Sequence, residues 1–161
     1  MWQFRYTGAI YKSRAALFIL RVVDLTAVIF CGLALGYAAL AMTLGGDYLD
    51  AVFMLIYLAV TFLTVTLARR IINAARPYEI YDFGVKIVHK RGSSFPSRHV
   101  ASAAAIATAL MPGFLPLGIA VAVLTVALAA VRVMLGLHFV RDVFSGALIG
   151  VIGSLIGIAV F

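Results

Sequence analysis

Five apolar stretches, at 22–44, 51–68, 97–111, 117–135 and 143–161, follow one another with little between them. A bilayer core about 30 Å thick is crossed by about 20 apolar residues in helical form. In lipid every backbone N–H and C=O needs an internal partner, which a helix supplies within its own segment. The pattern predicts an all-α integral membrane protein with about five transmembrane helices, six at most. Composition agrees, with 65% hydrophobic residues, 12% charged and a mean hydropathy of +1.12. Soluble domains are nearer half apolar, so a soluble enzyme is excluded. The 161 residues are read as one membrane-embedded domain: an arm at 1–21 and a helical core at 22–161. Cys31 is alone inside an apolar run and reads as a small buried hydrophobe. The first apolar run is too long for the core of a cleavable signal peptide.

Charge divides the chain into two faces. The segment between the first two spans, "GGDYLD", carries no base, and the turn "PGFLP" carries no charge. All thirteen Lys and Arg therefore fall at the opposite face or just inside it. The arm, "MWQFRYTGAIYKSRAALFILR", mixes aromatics with Arg5, Lys12, Arg14 and Arg21, a composition suited to an N-terminal interfacial helix. The net charge of +7 sits beside apolar spans, so membrane lipids and lipid phosphates, and not nucleic acid, are the expected partners. Asp24 is expected to pair with Arg21 near the start of the first span.

Three polar clusters collect on the basic face: "RRIINAARP" from Arg69, "SSFPSRH" ending at His99, and "RVMLGLHFVRD" from Arg132 to Asp142. The third and fourth spans form a hairpin around Pro112, Gly113 and Pro116, which returns the second and third clusters to one face. The second span ends there as well. Arg69, Arg76 and Arg132 are fixed cations with planar forks that match phosphate oxygens. Ser97 and His99 open a helix, whose free N–H groups favour an anion. His138 and Asp142 are spaced i, i+4, on one face of any helical turn. A carboxylate so placed orients one ring nitrogen and leaves the other as a nucleophile. Singly, each residue has a plainer role. Arginines at helix ends snorkel, an interfacial histidine packs, and a serine caps a helix. Together they compose a phosphate cage with two histidines, and nothing in it calls for a metal or other cofactor.

The three clusters resemble the signature of the type 2 phosphatidic acid phosphatase superfamily: K-x6-R-P, P-S-G-H and S-R-x5-H-x3-D. The first is matched by Arg69, Arg76 and Pro77. The second is matched by Pro96, Ser97, Arg98 and His99, and the third by Arg132, His138 and Asp142. Order and spacing are kept across about 51–161. The resemblance implies that His138 attacks phosphorus, that Asp142 orients it, and that His99 protonates the leaving oxygen and then activates water. It implies that Arg69, Arg76, Ser97, Arg98 and Arg132 hold the phosphoryl oxygens. It also implies hydrolysis of a lipid phosphomonoester or diphosphate, such as phosphatidylglycerophosphate, phosphatidic acid or a polyprenyl diphosphate, through a phosphohistidine without metal.

This sequence departs from the pattern in three places. Arg69 stands for Lys, Arg98 for Gly, and Val131 for a frequent Ser, which bears on substrate preference more than on catalysis. Tyr78, Lys90 and Arg91, with Glu79 and Lys86, are candidate headgroup contacts, and His89 reads as surface. Two other functions fit the same residues. One is a lipid phosphotransferase that passes the phosphoryl group to an alcohol, and the other a non-catalytic protein that binds anionic lipid. The expected location is the cell membrane, multi-pass, with the site at one membrane–water interface. The excess of Lys and Arg points that face to the cytoplasm, whereas the habit of bacterial relatives is outward.

Overall fold

The computed structural model describes residue 4 and residues 6–84 and 91–161. Lys86, His89 and Lys90, like Arg5 in the arm, lie outside the described residues. Seven helices appear among those described: α1 Thr7–Lys12, α2 Arg14–Gly45, α3 Tyr48–Ile72, α4 Pro77–Ile80, α5 Arg98–Leu110, α6 Leu115–Met134 and α7 Val140–Val160. Four of these, α2, α3, α6 and α7, are long and apolar enough to cross a membrane. The chain is an all-α, multi-pass membrane protein.

The third expected span is α5, and it differs from the rest. Its 13 residues rise only about 20 Å, short of a hydrocarbon core. It can be short because other helices, not lipid, surround it. Val100, Ala101, Ala103, Ala104, Ala105, Ala107 and Leu110 are all buried. Helices α2, α3, α6 and α7 all pack on it.

The closest of these packings is α5 against α7, and small residues make it possible. A Cβ at Gly146 would come within 2.5 Å of the Ser97 carbonyl oxygen, and one at Gly150 would overlap the Ala101 carbonyl. The Ser154 hydroxyl donates to the Ala105 carbonyl at 2.8 Å between the two helices. Because α7 carries Asp142 and α5 carries His99, this contact sets the spacing of the site. Gly150→Val is expected to cost about 1–3 kcal/mol of stability through overpacking and to lower activity with it. Thermal unfolding in detergent checks this, and an unchanged midpoint would contradict the close approach.

The arm is built differently from the sequence expectation. No breaker separates residues 14–21 from the first apolar run, so one helix of 32 residues starts at Arg14. Ser13 caps it, accepting from the Ala16 amide at 3.3 Å. Only α1 stands apart, and it is docked on the α6–α7 connection. Thr7 donates to the Met134 carbonyl at 3.0 Å, and the Tyr11 hydroxyl donates to the Leu135 carbonyl at 3.2 Å. Ile10 packs with Val131, Leu135 and Leu137. Phe4 is buried among the rings of Tyr81, Phe83 and Phe139.

Candidate active site

The C-terminal end of α3 and the N-terminal end of α5 meet at one end of the bundle. The C-terminal end of α6 and the start of α7 meet there too, because successive helices alternate in direction. Arg69, in the last turn of α3, donates from Nη1 to the Pro96 carbonyl at 2.7 Å. The Ser97 amide donates to the Asp142 carbonyl at 2.8 Å. These two bonds tie the first polar cluster to the second, and the second to the third.

Asp142 is the hub. Its side chain is fully buried. Oδ2 accepts from the Ser94 hydroxyl at 2.5 Å and from the Phe139 amide at 3.0 Å. The second bond is the reach-back of a residue in the first helical turn to its own N-cap. His138 Nδ1 faces the same oxygen at 3.7 Å, an electrostatic contact beyond hydrogen-bond length. Catalytic contacts often tighten only when substrate binds. The His138 ring is 1% exposed, and its Nδ1 makes no hydrogen bond among the described residues. Burial holds the imidazole below its ordinary pKa, and the charge of Arg76 acts the same way; Asp142 pulls against both. The neutral ring a nucleophile requires is therefore the favoured form at neutral pH.

Gly136 makes this placement possible. Its φ of +65° is left-handed, which turns the chain out of α6 toward His138. A side chain there would also strike Phe83 and Thr7.

The cations surround this pair. Arg69 lies within electrostatic reach of Arg76, Arg98, Asp142 and Arg132. His99 lies within reach of Arg132, Arg98, His138 and Arg69. Ser97 is buried, and its Oγ makes no hydrogen bond among the described residues. Arg76 is held by its backbone as well as its charge. Its Nε donates to the Gly92 carbonyl at 3.0 Å. Glu79 Oε1 accepts from the Arg76 amide at 3.0 Å and the Gly92 amide at 2.7 Å. Glu79, expected near a headgroup, instead clips two segments together. Asn73 assists, since its Oδ1 accepts from the Ser93 amide at 3.1 Å. Tyr78 is half-buried with the Arg76 guanidinium 5.9 Å from its ring centre, and Arg91 is exposed.

Asp24 corrects another expectation. It pairs with Arg132, 108 residues away, and not with Arg21. Arg132 Nη2 donates to Asp24 Oδ2 at 2.9 Å, and Nε sits 2.7 Å from Oδ1, close but poorly aligned. The pair fixes a third-cluster arginine from a helix outside the motif region. Arg132 is only 8% exposed, so removing its partner strands a largely buried cation. Asp24→Ala is expected to cost about 2 kcal/mol, below the fully buried range because Asp24 is partly solvated. Asp24→Asn, which keeps an acceptor, is expected to cost less. Unfolding midpoints rank the two, and equal losses would deny the pair its role.

Residues 50–161 match the family model described as the PAP2 superfamily. The chain belongs to that superfamily. With its membrane-crossing helices, it is in general terms a membrane lipid phosphatase. No curated protein sequence matches it. Two crystal structures share the fold. That of Aquifex aeolicus LpxE is 24% identical with a TM-score of 0.67, covering 89% of this chain and 94% of that one. That of the first transmembrane PAP2-type phosphatidylglycerolphosphate phosphatase from Bacillus subtilis is 23% identical with a TM-score of 0.64, covering 98% and 91%.

Sequence reasoning missed Ser94 and Asp24 as parts of this PAP2 site. Ser94 had a signal: it is a second hydroxyl two residues before Pro96, in the stretch already singled out. Asp24 had only its rarity, as an acid inside an apolar run.

Proposed function

We propose that this PAP2 protein hydrolyses a lipid phosphate through a phosphohistidine, without metal. One observation carries the reading: a buried, largely neutral histidine faces a buried carboxylate, with arginines from three distant segments around the pair. Nδ1 of His138 faces Asp142, which leaves Nε2 to attack. The Nε2–P bond forms as the bond from phosphorus to the leaving oxygen breaks. His99, its pKa held down at about 3 by burial and by Arg132 and Arg98, gains its proton as the negative charge of the phosphate offsets those cations, and gives it to that oxygen. His99 then takes a proton from water, whose oxygen displaces His138 and releases inorganic phosphate. Arg69, Arg76 and Arg132 balance the charge spread over the equatorial oxygens, and Ser97 Oγ can donate to one of them. The fixed positive charge of the arginines does the work a metal does in other phosphatases, and the buried carboxylate is already committed to Ser94 and Phe139.

The test is to trap the intermediate. Detergent-solubilised protein is mixed with a panel of lipid phosphates carrying labelled phosphorus, quenched within a turnover, and the protein-bound label characterised. Label that is stable to alkali and lost in mild acid is expected, together with phosphate release that survives a chelator. Release abolished by the chelator would overturn the metal-free route, and turnover without covalent label would overturn the phosphohistidine.

A further inference from the structure

Arg98 occupies a position where the family signature has glycine, and its surroundings give it a task. Its guanidinium lies 5.2 Å from the centre of the Phe62 ring, a cation–π contact with α3. With His99 it flanks one end of a cavity of about 270 Å³. Apart from Ser102, the other walls are apolar and come from α2, α3, α5 and α6, with Val28, Cys31, Phe62, Ile106 and Leu128 the larger side chains. A second, smaller cavity between α2, α3 and α5 shares Phe62, Ser102 and Ile106 with it. The path from His99 thus continues along the bundle in hydrocarbon surroundings.

In an in-line displacement the attacking and leaving atoms lie on opposite sides of phosphorus. With His138 attacking, the leaving oxygen is on the side of His99. The lipid chain leaves with that oxygen, so the apolar cavity beginning at His99 is where it lies. Arg98 therefore stands on the leaving-group side, at the junction of phosphate and chain. For a simple lipid monophosphate such as a prenyl phosphate, only the single ester oxygen gains charge, which the proton from His99 answers, and the chain beyond it is neutral. For a lipid diphosphate the group beside Arg98 would be the inner phosphate, which takes up negative charge as the anhydride breaks. Charge placed where charge develops accelerates the step.

We infer that the substrate class is lipid diphosphates, cleaved at the terminal phosphate, with Arg98 holding the inner one. This rests on His138 being the nucleophile, as proposed above. His138 Nε2 bonds to the terminal phosphorus, the bridging P–O bond breaks, and its electron pair leaves with the inner phosphate as a lipid monophosphate. Water then hydrolyses the phosphohistidine to orthophosphate.

The experiment measures kcat/KM for orthophosphate release from farnesyl diphosphate and farnesyl monophosphate in detergent micelles. The natural chain, Arg98→Ala and Arg98→Lys are compared, with folding checked by unfolding midpoint. The natural chain is expected to favour the diphosphate at least tenfold. Arg98→Ala should lower that ratio about tenfold, and Arg98→Lys should keep part of it. If Arg98→Ala does not fold, Arg98→Gln takes its place. Hydrolysis of both substrates with no preference, or with a ratio unchanged by loss of the cation, overturns the inference and leaves the phosphatase reading standing. Release from neither substrate, nor from any lipid phosphate, overturns both.

Discussion

His138→Ala is expected to reduce lipid phosphate release by about a thousandfold or more, because it removes the nucleophile of the proposed route. The fold should survive. The ring's Nδ1 makes no hydrogen bond among the described residues, and the backbone of the loop is held through main-chain bonds to the Arg132 carbonyl. His99→Ala should be similarly inactive on a lipid phosphate, but for a different reason that can be measured. His99 supplies a proton to the leaving oxygen, and a leaving group of low pKa does not need one. With p-nitrophenyl phosphate, His99→Ala should still release a burst of nitrophenol matching the amount of protein. His138→Ala should give no burst with any substrate. A burst from His138→Ala, or retention of a tenth of the natural activity, would assign the nucleophile elsewhere.

The difference between what the sequence revealed and what it concealed follows from the range of the interactions. Hydropathy is local, so the apolar runs located α3, α6 and α7, and the C-terminal end of α2, to within a few residues. The hairpin turn at Pro112 and Gly113 then required clusters two and three to share a face, and the convergence of Arg69, Ser97 and His138 was readable for that reason. Local reading failed where a partner decided the outcome. An acid three residues from Arg21 looked like its partner, yet Arg132 is the one that Asp24 meets. Glu79 looked like a headgroup contact until Gly92 was folded back beside it. The arm was expected to lie flat up to residue 21, but a good helix former with no interruption simply continues, and Arg14 begins the first crossing helix. The short length of α5 was ambiguous for a related reason. Its alanines read as a weak membrane span, although they are small so that α7 can approach.

Asp142→Ala is expected to be the second severe lesion, and its cause can be separated from that of His138. The carboxylate has no exposed surface and gathers the Ser94 hydroxyl, the Phe139 amide and the face of His138. Its removal leaves two buried donors without an acceptor, at about 1–3 kcal/mol each. It also releases the loop that presents the imidazole. A loss of roughly 10²–10⁴ in kcat, with an unfolding midpoint well below the natural chain, is expected on the precedent of carboxylates that orient a histidine. Ser94→Ala tests the hub from its other side. It deletes one donor and leaves Asp142 with the Phe139 amide, so about 1 kcal/mol of stability and roughly tenfold in kcat should be lost. Because Ser94 acts only through Asp142, the two losses should not add. In the double variant Ser94→Ala with Asp142→Ala, activity should be no lower than in Asp142→Ala alone. Stability should recover in part, since one stranded donor is gone. Fully additive losses would mean that Ser94 serves the reaction by a route of its own, such as direct contact with the phosphate. It would then join Ser97 in the cage and no longer stand behind His138 as the residue that fixes its carboxylate.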